Sequence, residues 1–264
     1  MIHEKAFVHK DAQIGKNVTI EPFACIHGNA VIGDNTIVQS QAVVYGNTTV
    51  GSECKIFPCA VVGADPQDLK YKGEETTVEI GNNVMIRECV TINKGTVAYG
   101  KTIVEDNTLL MAYVHIAHDC HIKKSCIIAN AVNIAGHVTV GDHVSIGGMT
   151  AIQQFVSIGD HTYITGGSLV RKNVPPYVKA GREPLSYVGV NRIGLERRGF
   201  SSESINRIQD IYRYLFVKGW SVTKAIDHIK SELEPSDERD TILQFIDRSE
   251  RGLMRGFQSL ITAD

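Results

Sequence analysis

A beat of six dominates this chain. Stepping by six from Val8 to Val170 visits 28 positions, and 25 of them are Val, Ile or Leu; the exceptions are Asp68, Glu74 and Ala98. Two residues before each of these aliphatics stands a second small or β-branched residue, as at Val18, Ala24, Ala30, Thr36, Ala42, Thr48, Cys54 and Ala60, and again at Cys120, Cys126, Val132, Val138 and Val144. Two inward side chains separated by one outward residue is the period of a β-strand. Each hexapeptide therefore reads as a short strand and a corner. The corners carry Gly33-Asp34-Asn35, Gly81-Asn82-Asn83 and Gly141-Asp142, residue types that tolerate positive φ. A strand that turns every six residues closes into a triangular prism, three hexapeptides to a coil, so that residues eighteen apart stack ~4.8 Å apart along the axis. The expected fold class is mainly β: a parallel β-helix over residues 1–190, followed by an α-helical domain over 191–264. The beat lapses over 63–79 and 95–103 without losing phase, and such excursions from a compact repeat are usually functional.

After Val170 the beat stops. Residues 171–198 hold Arg171, Lys172, Lys179, Arg182, Arg192, Arg197 and Arg198 against Glu183 and Glu196 only, which suits either an acidic partner or a solvated basic face. Past Gly199 the period becomes helical. Ile205, Ile208, Ile211, Tyr212, Leu215 and Phe216 form one face, with Ser201 or Ser202 as cap and Gly219 as end. Val222, Ala225, Ile226, Ile229 and Leu233 make a second helix, and Pro235-Ser236 opens a third carrying Ile242, Phe245 and Ile246. These helices are expected to cover the last open edge of the β-helix.

Composition excludes several functions. The net charge of -2 argues against broad nucleic-acid or membrane binding. No apolar run approaches ~18 residues, so no membrane span is expected. Met1-Ile2-His3-Glu4-Lys5 lacks the build of a signal peptide, so a cytoplasmic chain is expected. The six cysteines contain no Cys-x-x-Cys pair and read as small buried thiols rather than disulfides or a zinc site.

The chemistry should lie among His115, His118, His121 and His137. Adding eighteen takes His118 to Gly136 and Asp119 to His137. One coil on, a backbone N–H with no Cβ in its way then lies over the His118 ring. That is what a general base and an oxyanion donor need, and Asp119 is placed to orient the imidazole. The bland alternative is a set of polar corner histidines on an inert scaffold.

The hexapeptide pattern resembles the left-handed parallel β-helix of hexapeptide acyltransferases, and the left hand rests on that resemblance alone. His115-Ile116-Ala117-His118-Asp119-Cys120 and Ile134-Ala135-Gly136-His137-Val138 resemble, more narrowly, the UDP-N-acetylglucosamine acyltransferases of lipid A biosynthesis. So do Gln67-Asp68-Leu69-Lys70-Tyr71, Gly147-Gly148-Met149-Thr150-Ala151-Ile152, Val174-Pro175-Pro176-Tyr177-Val178 and Arg197-Arg198-Gly199-Phe200, in order along the whole chain. The resemblance implies transfer of a 3-hydroxyacyl chain from acyl carrier protein to the 3-position of the sugar nucleotide. It implies a homotrimer with active sites between subunits, and no metal or other cofactor. His118 matches the family's base, Asp119 its partner and Gly136 the oxyanion donor. Gln67, Asp68, Lys70, His115, His137, Gln154, Asn191 and Arg198 match substrate contacts, and Gly167 matches the position that limits acyl length.

Asn93 and Gln153 stand where many members have His, and Ile193 replaces an acidic residue of some members. These departures leave the 3-amino analogue of the sugar open as acceptor. Two other activities on the same fold stay open: an acetyl-CoA-dependent transferase, and a γ-class carbonic anhydrase, which needs three neutral histidines on zinc.

Overall fold

The computed structural model describes residues 1–256, so the last eight residues of the expected helical domain lie outside the described residues. Along the repeat, each strand of two to four residues carries a beat residue, from Phe7–Val8 to Leu169–Val170. The strands fall into three sheets of nine, eight and ten strands, and along each sheet successive neighbours are every third strand of the chain, apart from Val178–Gly181 and Ser186–Val190 at the end of the third. The chain is thus a three-sided parallel β-coil with one sheet per face. Phe7 pairs with Cys25, and His115 with Asn133, so the step of one coil is eighteen residues. At the excursions the step grows to thirty (Val61 with Thr91) and twenty-four (Thr77 with Lys101). Both insertions are whole hexapeptides, which is why the beat keeps its phase.

The excursions are shorter than the lapse in the beat suggested. Strands Val61–Ala64, Thr77–Ile80, Thr91–Asn93 and Lys101–Val104 run into them, leaving 65–76 and 94–100 outside the ladder. Backbone pairing continues past the last inward aliphatic, because hydrogen bonding does not require one.

The two inward columns fill the prism. Ile26, Val44, Val62, Ile92, Ile116 and Ile134 are fully buried, as are Ala24, Ala42, Ala60, Val90, Val114 and Val132 beside them. Each large aliphatic contributes roughly 1.5–3 kcal/mol on burial. Two threonines in the small-residue column satisfy their hydroxyls on corner carbonyls: Thr36 donates to Gly51 O at 2.9 Å and Thr150 to Gly147 O at 2.7 Å.

The corners differ from expectation in an instructive way. The left-handed residue is Asn35, Asn83 or His143, with φ of 58°, 53° and 56°, and at other corners even Phe23, Tyr113 and Phe155 adopt it. Gly33, Gly81 and Gly141 serve close approach instead. A Cβ on Gly33 would stand 2.5 Å from the carbonyl carbon of Gly51 on the next coil. The cysteine reading also needs amending. Cys54, Cys120 and Cys126 are buried, and burial pushes the Cys120 and Cys126 thiols up to about 12, but Cys59 is exposed and Cys25 and Cys89 are half-buried.

The open end of the coil is closed first by a strand hairpin. Val178–Gly181 runs parallel to Tyr163–Ile164, and Ser186–Val190 returns antiparallel to it. Of the helices that follow, Ser202–Tyr212 packs on the returning strand Ser186–Val190. A short helix α1 (Arg192–Arg197), which the residue pattern did not reveal, precedes α2 (Ser202–Tyr212). Ser201 caps α2, accepting from the Ser204 N–H at 3.1 Å. The helix continues as a π-turn over Arg213–Val217 before Gly219 at φ 69°. Helices α3 (Val222–Glu232) and α4 (Asp237–Asp247) follow, capped by Ser221 and Ser236. Tyr212 is wholly buried, and its hydroxyl donates to Pro176 O at 2.6 Å, tying α2 to the end of the coil.

Candidate active site

His115, Asn133 and Ala151 are cross-coil neighbours on the outer face of one sheet. That face and the corner after it form an open groove of about 410 Å³, lined by Gln67, His115, His118, Gly136, Ala151 and Gln154 among others. The eighteen-residue step places Gly136 against His118 so tightly that a Cβ there would stand 2.5 Å from Cε1 and 2.7 Å from Nε2.

His118 and Asp119 are both buried, with side-chain exposures of 8% and 0%. His118 Nδ1 lies 2.8 Å from Asp119 Oδ2, which leaves Nε2 as the nitrogen beside Gly136 at the groove. With Nδ1 carrying its proton toward a carboxylate, Nε2 has a lone pair to accept one. Burial pushes the Asp119 carboxyl up, but hydrogen bonds from the Thr96 hydroxyl, His118 and the Thr96 N–H outweigh it and hold the group below its ordinary range.

The Gly136 N–H has no acceptor among the described residues. At the equivalent site of a neighbouring corner the same N–H is taken up by an acidic side chain one coil on: Lys16 N–H donates to Asp34 Oδ1 at 2.7 Å and Lys124 N–H to Asp142 Oδ1 at 3.0 Å. Beside Gly136 that place is held by Gln154, which takes no hydrogen bond from the Gly136 N–H, so the donor stays unpaired in the residue packed against the base.

His137 completes the cluster. Its Nε2 is 3.7 Å from Asp119 Oδ2, its ring meets His118 edge-on at 5.1 Å, and it stacks on Phe155 at 4.6 Å. Burial lowers its pKa, and Asp119 partly offsets this. Burial also lowers that of His115, whose Nδ1 lies 2.7 Å from the Thr91 hydroxyl.

The remaining expected residues are not all brought here within one chain. Gln67 reaches the groove, and Asp68 is near enough to act on His137 electrostatically. Lys70 is exposed on the 65–76 loop, its N–H on Asp68 Oδ1 at 2.9 Å. Asn191 and Arg198 sit at the next corner of the prism, donating to His161 O at 2.9 Å and His143 O at 2.8 Å. Burial, with Arg198 and His143 adding to it, lowers His161 to about 4. Gly167 stacks above Met149 at the third corner, where an added Cβ would meet nothing within 4 Å.

Asn93 does not enter the groove. It is buried, and its Nδ2 donates to Asp65 O at 2.7 Å, fastening the root of the 65–76 loop. Three histidines do not converge either: His121 points from a different sheet and pairs with Glu105 at 2.6 Å. The one cluster of metal-ligating groups found among the described residues is His118, Asp119 and His137. Sequence reasoning missed Thr96 and Tyr99, whose N–H groups and hydroxyl surround Asp119. The signal was present in the break of the beat at 95–103, one coil before the dyad.

Known proteins match this arrangement. The family model for UDP-N-acetylglucosamine O-acyltransferase, domain 2, matches residues 173–254, and the bacterial transferase hexapeptide model matches 11–46, 29–64 and 101–136. An acyl-[acyl-carrier-protein]–UDP-N-acetylglucosamine O-acyltransferase of Myxococcus xanthus is 48% identical, over 96% of this chain and 99% of its own; that of Chlorobaculum tepidum is 53% identical, over 92% and 93%. Among solved structures, a UDP-N-acetylglucosamine acyltransferase from Bacteroides fragilis superimposes with a TM-score of 0.95 at 46% identity, covering 97% of this chain and 100% of its own. The Arabidopsis enzyme of the same description gives 0.86 at 31% identity, covering 97% and 100%. On this evidence the chain belongs to the UDP-N-acetylglucosamine O-acyltransferase family.

Proposed function

We propose that this enzyme transfers a 3-hydroxyacyl chain from acyl carrier protein to the 3-hydroxyl of UDP-N-acetylglucosamine, the first step of lipid A synthesis, by direct transfer. The observation that carries the reading is the packing of His118 Nε2 against Gly136, whose N–H has no acceptor among the described residues, at one groove. His118 takes the proton of the sugar hydroxyl as its oxygen attacks the thioester carbonyl. The oxyanion that forms accepts from the Gly136 N–H. Collapse expels the carrier-protein thiolate, which leaves with the proton held on His118. Asp119 fixes the ring and stabilises the imidazolium.

Gln67, Asp68, Lys70, His115, His137, Gln154, Asn191 and Arg198 are assigned to substrate binding. Asn191 and Arg198 occupy a different corner from His118, so a shared site requires a second copy of the chain, in keeping with a homotrimer. The basic residues between 171 and 198 suit an acidic carrier protein, although Arg171 and Arg192 are partly engaged by Glu183 and Glu196. We assign a left hand to the coil, and catalysis to residues 1–190 with 191–264 as a helical cap. We place the enzyme in the cytoplasm; among the described residues no helix is long and apolar enough to cross a membrane.

A matrix of acceptors and donors tests this. UDP-N-acetylglucosamine and its 3-amino analogue are offered against a ladder of 3-hydroxyacyl carrier proteins and acetyl-CoA. Ester formation from a hydroxyacyl carrier protein is expected, with turnover lowered by on the order of 10²–10⁴ in His118→Ala. Use of acetyl-CoA alone, amide formation only, or stoichiometric zinc at the histidines overturns the proposal.

A further inference from the structure

We infer that Thr96 is a positioning residue of the transfer: its hydroxyl and its N–H together hold the Asp119 carboxylate in the orientation that aims His118 Nε2 into the groove. The inference rests on His118 being the base.

Asp119 lies on a left-handed corner with φ 59°, its side chain wholly buried. A carboxylate in that setting must be fully hydrogen-bonded to remain charged. Oδ1 accepts from the N–H groups of Thr96 at 2.9 Å and Tyr99 at 3.2 Å. Oδ2 accepts from the Thr96 hydroxyl at 2.6 Å and faces His118 Nδ1 at 2.8 Å. Of the loop residues, Thr96 alone reaches both oxygens.

Its hydroxyl is itself oriented. Ala98 N–H donates to Oγ1 at 3.3 Å, so the hydroxyl proton is directed to Asp119. Gly100 N–H donates to Thr96 O at 2.7 Å, winding 94–100 around the side chain. The neck of this loop is closed: a Cβ on Gly95 would stand 2.2 Å from Lys101 N. From the coil below, Thr102 Oγ1 accepts the Asp119 N–H at 2.9 Å. The six inserted residues that break the beat thus supply an anion cradle at the corner where the Asp119 carboxylate faces the His118 imidazole. Elsewhere the corner acids, such as Asp34 and Asp142, bind backbone N–H groups of the preceding coil.

The test separates positioning from packing. Thr96→Val keeps the shape and the backbone donor and deletes only the hydroxyl; Thr96→Ser keeps the hydroxyl and deletes the methyl. With Thr96→Val, kcat should fall about ten- to hundredfold, the worth of one charge-assisted hydrogen bond. KM for the sugar nucleotide should stay within about twofold, since no binding group is touched. Without the hydroxyl, Oδ2 becomes a stronger acceptor for His118, so the acid limb of kcat/KM should move to higher pH. The other titratable groups around His118 stay in place in this variant: His115 on its own coil, His137 on the next, and Asp68 from the 65–76 loop. Thr96→Ser should restore both rate and pH limb, and this comparison holds even if the valine variant is unstable. A valine variant with unaltered kcat and pH limb, or a serine variant as impaired as valine, makes Thr96 a packing residue and overturns the inference. His118→Ala runs alongside. If it retains full activity, the base assignment itself has failed, and the Thr96 inference falls with it.

Discussion

Gly136→Ala adds one methyl group at the centre of the proposed chemistry. Gly136 has no left-handed φ, so alanine meets no backbone strain. The clash is with the base. The new Cβ would lie 2.5 Å from His118 Cε1 and 2.7 Å from Nε2, against the ~3.5–4.0 Å of an ordinary carbon contact. The imidazole must therefore retreat by about 1 Å, and a misplacement of that size costs on the order of 10²-fold. Retreat also strains the 2.8 Å bond to Asp119, so the loss extends toward the full worth of a general base, on the order of 10²–10⁴. This corresponds to ~3–5 kcal/mol of transition-state stabilisation. Turnover of hydroxyacyl carrier protein measures it, with thermal melts to show that the coil is intact. The double variant with His118→Ala should be little worse than His118→Ala alone, because both act on one group. An alanine variant within about threefold of wild type would refute the stacked arrangement as the catalytic one.

Three further outcomes are expected. Asp119 has its folded pKa below the ordinary 3.8, so the unfolded chain takes up the proton first; its contribution to stability is present above that value and lost as pH falls through the lower folded one. Urea midpoints should then show Asp119→Asn destabilised at pH 7, with the gap to wild type closing below the ordinary carboxylate range; a pH-independent gap contradicts this. Gly33→Ala places a Cβ 2.5 Å from the backbone of the next coil and should destabilise clearly, whereas Asn35→Gly at φ 58° should change little; calorimetric melts with the reverse order would mean that the corner glycine serves its φ after all. Gly167→Met places its side chain in open space, with backbone strain at φ 70°, and should shift preference to shorter acyl donors, with Gly167→Ala as the control for that strain; an unchanged preference, or the same shift in Gly167→Ala, removes Gly167 as the chain-length position.

The sequence by itself determined the coil. A step of six with two inward residues per step leaves few ways to bury its aliphatics, and the arithmetic of eighteen places Gly136 on His118 and His137 beside Asp119. Periodicity was enough for α2, α3 and α4, whose apolar faces repeat at helical spacing. It was not enough for α1, where Arg192–Arg197 offers one buried residue, Leu195. The role of the corner glycines was also hidden, because close approach and positive φ favour the same residue type. Tertiary structure alone decided what surrounds the acid. Thr96 and Tyr99 reach Asp119 through a loop off the beat, and no periodicity predicts where an irregular backbone sends its N–H groups. It also decided that Asn93 ties down a loop rather than facing the groove, and that Asn191 and Arg198 lie at another corner. Periodic burial is a local property that sequence records directly, whereas the partners of a buried charge depend on which segments the finished fold brings together.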